Sequence, residues 1–272
     1  MIDFIQACYI VFAPLSVLCE FILLYSFWKL KQHKDHPEVL VFWQFLSQII
    51  LDIHWFTGIV QFKQTLDKDE CLLLGSMSVY FYYLSWDYTL FLSIEILLKI
   101  LNPYKTGYKK RRIWYHSFAH LSSSTIFIFL MISETNGNSV LDTCFVEEFS
   151  VYELLIMIPS FLHFPLCIGI IIYALYISHN THYAVYLKYH IMVVMTFSFC
   201  WVPIGVVHGL FYYRFHAILP KWYVYVIPMK VSVFFGAISG FLIFMVRMLQ
   251  KGLFQRVVYV LFSPSSLKVS VN

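Results

Sequence analysis

Apolar residues dominate this chain so thoroughly that its pattern is carried by the interruptions. Charged residues, prolines and polar clusters bound seven apolar runs, at about 4–28, 38–62, 71–98, 113–132, 150–177, 189–213 and 222–246. Each is as long as the roughly 20 residues a bilayer-crossing helix requires. Lipid offers no partner to a free backbone amide or carbonyl, so runs of this length predict helices rather than strands. The count of seven depends on two runs with internal polar positions. The fourth contains Ser122, Ser123 and Ser124, and the seventh contains Lys230, Gly236 and Gly240. The expected fold is an all-α membrane protein, a seven-transmembrane helix bundle over residues 1–247. Residues 248–272 are expected to form a short cytoplasmic amphipathic helix and tail. There, RMLQKGLFQRVVYVLF sets Leu249, Leu253, Phe254 and Val257 on one helical face with Lys251 and Gln255 off it, the pattern of a helix lying in a membrane interface.

Composition agrees. Of 272 residues, 60% are hydrophobic, 20% aromatic and 12% charged, with a mean hydropathy of +0.72, against roughly 25% charged residues in soluble domains. The basic residues are unevenly spread. Fourteen Lys and Arg fall in the connections after the first, third and fifth runs and in the tail, and four (Lys63, Lys68, Arg214, Lys221) fall in the opposite connections. Because Lys and Arg accumulate on the cytoplasmic side, the N-terminus is expected outside and the C-terminus inside. The net charge of +4 is then a topology signal, with membrane lipid and not nucleic acid as the partner it implies. The opening MIDFIQACYIVFAPL has no basic start or small-residue cleavage site, so the first run is expected to serve as its own insertion signal.

Four of the six cysteines (Cys8, Cys19, Cys167, Cys200) lie inside apolar runs, where a thiol behaves as a small hydrophobe. Cys71 opens the third run and Cys144 sits in the loop between the fourth and fifth, both on the face expected to be exterior and oxidising. A disulfide between them would hold the loop after the fourth run over the mouth of the bundle.

Seven runs, an outside N-terminus and a cystine from the third run to the second outer loop resemble the G-protein-coupled receptor superfamily. In the sixth run, TFSFCWVPIG carries Phe197, Cys200, Trp201 and Pro203, similar to the Phe-x-x-Cys-Trp-x-Pro pattern of rhodopsin-like receptors. A second likeness, to the slime-mould cyclic-AMP-type receptors, lies in KKRRIWYHSFAH and AISGFLIFMVRM. The resemblance implies a plasma-membrane, multi-pass receptor for a small-molecule or peptide ligand, acting on a heterotrimeric G protein. It also implies a switch made of Phe197, Trp201 and Pro203. Pro203 has no amide hydrogen and its ring meets the carbonyl of Phe199, so a kink is expected there. Two features depart from the rhodopsin-like pattern. Glu95 stands where the acidic member of an Asp/Glu-Arg-Tyr triplet belongs, but Ile96 and Leu97 follow it, and the seventh run has no Asn-Pro-x-x-Tyr.

Charges inside apolar runs cost ~2.5–3.5 kcal/mol each at mid-membrane and are functional candidates. Glu20, Asp52, Asp87 and Lys230 qualify. Lys230 is expected to pair with Asp52 or Asp87, since an acid and a base in one bundle offset each other's burial. A lysine in the seventh run also raises a retinal Schiff base as a minor alternative. With Asp52, His54, Trp55, His163, Trp201 and His208, Lys230 could line one ligand cavity in the outer half of the bundle. Asp142, Glu147 and Glu148 would make the mouth acidic. On the inner face, Glu95, Lys105, Lys109, Lys110, Arg111 and Arg112 are the candidate contacts for an intracellular partner, the basic ones also facing anionic lipid.

No metal-ligand pair, phosphate loop or nucleophile elbow is present, so neither an enzyme nor a cofactor or metal is expected. The rival class is a multi-helix transporter or channel. Secondary transporters show internal repeats and broken helices, and the two halves of this chain show no repeat.

Overall fold

The computed structural model describes residues 4–32, 37–61, 68–102, 107–134, 136–138, 144–146, 151–178, 183–216, 223–249 and 253–262. It is nearly all helical. In chain order the elements are α1 (Phe4–Lys29), α2 (Glu38–Gln61), α3 (Lys68–Leu101), α4 (Tyr108–Ser133), strands β1 (Asn136–Asn138) and β2 (Cys144–Val146), and α5 (Glu153–Ile158). A one-turn π segment (Pro159–His163), α6 (Phe164–Ser178), α7 (Tyr183–His216), α8 (Tyr223–Met248) and α9 (Leu253–Phe262) follow. Six helical stretches are long and apolar enough to cross a membrane, with α5, the π segment and α6 forming one of them. The chain is a multi-pass membrane protein.

The 34-residue α3 is not among those six, and its sequence shows why. Tyr82 through Thr89 are buried without a break and include Ser85, Asp87 and Thr89. A helix buried on every side stands inside the bundle. Several of its polar groups are answered by neighbours: Gln44 Nε2 of α2 donates to Thr89 Oγ1 at 2.8 Å, and Tyr83 donates to the Leu155 carbonyl at 2.5 Å. The least buried of the six apolar helices is α4, where Trp114, Leu121 and Ile132 face outward, as expected of side chains whose solvent is lipid.

Two glycines set how closely helices approach. A Cβ at Gly205 of α7 would lie 2.3 Å from Ser160 Cβ in the π segment, and one at Gly240 of α8 would lie 2.6 Å from the Glu20 carboxyl of α1. The α1–α8 seam is tied by Ser16, whose hydroxyl donates to the Ala237 carbonyl at 2.8 Å and accepts from the Phe241 amide at 3.3 Å. Between α2 and α8, Gln48 Nε2 donates to Ser239 Oγ at 2.7 Å. α9 packs on α1 and α8, burying Leu253 and Val257 while Phe254 is exposed.

Strands β1 and β2 pair antiparallel, with Asn138 opposite Cys144. Cys71, in the first turn of α3, forms the expected disulfide with Cys144, their Cα atoms 5.0 Å apart. His54 of α2 reaches the same place, Nε2 to the Cys144 carbonyl at 3.2 Å. A carbonyl only accepts, so this imidazole carries its proton on Nε2.

Gly205→Ala is expected to destabilise the protein by about 1–3 kcal/mol through overpacking against Ser160, and Ser160→Gly in the same chain to restore most of that loss. Thermal unfolding of the purified protein in detergent measures both. Cys71→Ser and Cys144→Ser should each lower stability by about 2–4 kcal/mol, and the double variant by no more than one of them. Additive losses would show that the two thiols act separately.

Candidate functional site

Where α3 and α7 meet, four large aromatic rings pack into one buried group. Trp201 is 1% exposed and Phe197, one turn away on α7, is 0% exposed, with centroids 6.2 Å apart. From α3, Tyr82 stands 5.7 Å from Trp201 and Trp86 stands 5.0 Å edge-on from Phe197. Residues 82 and 86 on α3, and 197 and 201 on α7, have the i, i+4 spacing that puts both side chains of each helix on one face. Tyr82 extends the group to the π segment, its hydroxyl 3.3 Å from Ser160 Oγ and donating to the Ile156 carbonyl at 3.3 Å. Pro203 and Gly205 lie just beyond Trp201. α7 runs as one helix from Tyr183 to His216 through Pro203, which withdraws one backbone hydrogen bond there. Aromatic pairs of this kind contribute roughly 0.5–1.5 kcal/mol each beyond area burial, so the α3–α7 contact is firm yet composed of few parts.

A second group flanks α3. His163 Nε2 of the π segment is 3.2 Å from Asp87 Oδ1, and Ser122 of α4 donates to Asp87 Oδ2 at 2.5 Å. A third lies between α2, α3 and α4. Tyr80 and Tyr88 hydroxyls each stand 2.7 Å from an Nδ1, of His120 and His116 respectively, and Tyr88 is 3.4 Å from His120 Nε2. With both imidazoles neutral and protonated on Nε2, donation runs in one direction from Tyr80 through His120 and Tyr88 to His116. Trp43 packs its ring on both histidines.

Toward the end of α3, Arg111 of α4 grips Glu95 with two hydrogen bonds, Nε to Oε1 at 2.6 Å and a terminal amine to Oε2 at 3.2 Å. Tyr115 donates to Oε1 at 2.7 Å. Glu95 is completely buried, and a forked guanidinium answering both carboxylate oxygens is the geometry that makes such burial tolerable. Between two other helices, His190 Nε2 of α7 is 3.5 Å from Glu38 Oε1 at the start of α2.

The residues selected from sequence are thus spread over several neighbourhoods. Trp201 and Phe197 come together. Trp55 stacks on Tyr9 of α1 at 5.9 Å, and His54 serves the hairpin. His163 joins Asp87, while Asp52 is buried on α2 beside Gln48 and His208 is buried on α7. The ion pair expected for Lys230 is not formed. Lys230 is exposed, its Nζ 5.5 Å from the centroid of Phe4. Helical phase explains this: α8 buries Met229, Ser232, Val233, Gly236 and Ala237, and position 230 falls off that stripe. An outward lysine gives the retinal reading no support. Of the partner candidates, Lys109 and Lys110 are exposed and Arg112 half-buried. Lys105, Asp142, Glu147 and Glu148 lie outside the described residues. Among the described residues no group of three His, Cys, Asp or Glu side chains could hold a metal ion.

Sequence reasoning passed over Tyr82, Trp86, Glu38 and His190. Tyr82 and Trp86 repeat the four-residue spacing of Phe197 and Trp201, a signal readable only once α3 and α7 are known to be neighbours. No family model matches the chain, and no curated protein matches it either.

Arg111→Ala should be more destabilising than the double change Glu95→Gln with Arg111→Ala. The single change strands a buried carboxylate, whereas the pair removes the charge and its partner together. The check is a double-mutant thermal cycle; equal losses would mean that Glu95 does not depend on Arg111.

Proposed function

We propose that this chain is a seven-helix, G-protein-coupled-receptor-like protein of the plasma membrane, with α3 as the seventh span. It takes a small ligand on the outer side of Trp201 and signals by movement of α7. The observation that carries this reading is the buried contact of Trp201 and Phe197 with Tyr82 and Trp86. It joins α7 to the central helix at the turn before Pro203, so a ligand that shifts the indole must move one helix against the other. The disulfide-held hairpin beside His54 supports the same reading as a cover for the mouth. The six apolar helices together with α3, which at 34 residues is about 51 Å long, supply the seven crossings, with the N-terminus outside and α9 as the eighth helix.

The missing arginine after Glu95 has a counterpart in this scheme. Glu95 is neutralised from α4 by Arg111 instead of from its own helix. The His190–Glu38 contact ties the inner half of α7 to α2 in the resting state. Outward swing of α7 breaks that tie and opens the inner face beside Lys109 and Lys110 to a heterotrimeric G protein. Asp52, His54, Trp55, His163 and His208 remain candidates for tuning the ligand side.

The test uses the protein in vesicles with a panel of purified heterotrimeric G proteins, reading guanine-nucleotide exchange. Glu38→Gln and His190→Ala are each expected to raise basal exchange roughly fivefold, the effect of losing an interaction of ~1 kcal/mol that favours the resting state. Trp201→Phe, which keeps an apolar ring in the buried position, should reduce the response to any activating ligand pool by more than it lowers folded yield. Solute or ion flux without nucleotide exchange from any heterotrimer, in the wild type and in both activating variants, would overturn the receptor reading in favour of a transporter or channel.

A further inference from the structure

α7 and α8 are neighbours along much of their length, yet they leave an open groove between them with a volume of about 530 Å³, inside the ~300–1,000 Å³ range of small-molecule sites. Its walls are Met195, Thr196 and Phe199 of α7 with Leu242, Met245 and Val246 of α8 and Leu249 just past its end. Apart from the Thr196 hydroxyl these side chains are apolar. All but Leu249 lie within the apolar stretches Lys188–Gly209 and Pro228–Met248, so the groove sits at membrane depth. It is open along one side, where Phe199 is 59% exposed. At one end Phe199 packs edge-on against Phe235, with centroids 4.7 Å apart.

The other end carries a charge. Lys188, Met195 and Phe199 follow one another at seven and four residues, a spacing that keeps them on one face of α7. Lys188 is exposed and begins the apolar stretch, about 10.5 Å along the axis beyond Met195. Because α7 and α8 are antiparallel, Leu249, which closes the α8 side, lies toward that same end. The groove therefore has an apolar trough and an aromatic stop, with the exposed Lys188 on the same face of α7 two turns beyond its other end. We infer that it holds one acyl chain of an anionic glycerophospholipid from the surrounding bilayer, with the phosphate headgroup on Lys188. The trough selects for a flexible chain and the lysine for negative charge, and the two methionines let the walls adapt to the chain. The inference is independent of the receptor reading and holds for a transporter as well.

Native mass spectrometry of the full chain tests it, with phosphatidylserine and phosphatidylcholine of identical acyl chains offered in competition. Phosphatidylserine is expected to be retained preferentially. Lys188→Gln should reduce that preference about fivefold, the contribution of one basic residue near an anionic lipid surface, whereas Lys68→Gln at the start of α3, whose ammonium is paired with Glu134 at 3.2 Å, should leave it unchanged. Met245→Trp, which fills the trough from a partly exposed position, should displace both lipids with an unchanged melting temperature. A phosphatidylserine bearing a photoreactive group at the chain end should label peptides containing Phe199 or Leu242 in preference to the exposed apolar face of α4 around Trp114 and Leu121. Equal retention of the two lipids, insensitivity to Lys188→Gln or Met245→Trp, labelling spread evenly onto α4, or cross-links from the groove to a second copy of the chain would each overturn the assignment.

Discussion

Tyr82 to Thr89 of α3 are buried on all sides, and a polar group shut away from water is costly unless the bundle itself supplies its partner. That constraint organises much of the rest. Gln44 is drawn from α2 to Thr89, Ser122 from α4 and His163 from the π segment to Asp87, and the carbonyls of Ile156 and Leu155 receive Tyr82 and Tyr83. Each of these contacts fixes one neighbour at one height on α3. Apolar packing alone would not, since lipid tails are as apolar as a leucine surface and give helices little reason to prefer one partner.

The approach of α7 depends on smaller features. Without a side chain at Gly205, the helix comes within reach of Ser160 in the π segment. The extra residue of a π turn disturbs the regular hydrogen-bond ladder, a feature often found at functional positions. Here it stands across from the residue pair Pro203–Gly205, so two helices meet where each has a weakened backbone. Trp201 and Phe197 sit beside this point and are gripped by α3. The coupling of weak backbone to large, few-part aromatic packing is the physical basis for proposing that α7 moves.

Much of this was legible along the chain. Apolar runs against a 30 Å hydrocarbon slab located the long helices to within six residues at either end, and the two cysteines not embedded in a run are the two that pair. Phe197, Trp201 and Pro203 were legible as a group because they share one helix. Residues whose role depends on a second helix were not: nothing local marks Glu38 as the neighbour of His190, Tyr82 as the contact of Trp201, or Arg111 as the answer to Glu95. Lys230 shows the opposite error. A lysine within an apolar run suggested an internal ion pair, but the phase of α8 turns it outward, toward Phe4.

The sequence by itself determined the class of molecule, a multi-pass helical membrane protein, because hydropathy and run length are properties of consecutive residues and the bilayer reads them one segment at a time. It determined which residues of a single helix share a face, because 3.6 residues per turn is a local rule. Only the tertiary structure decided which faces meet. α3 lies inside although it is too polar to rank with the six apolar helices, and its aspartate and glutamate are held by α4 and the π segment. Lys230 remains outside. These outcomes are set by rotation and height of whole helices, fixed jointly by close contacts such as Gly205 on Ser160 and by polar groups that must find partners in the absence of water.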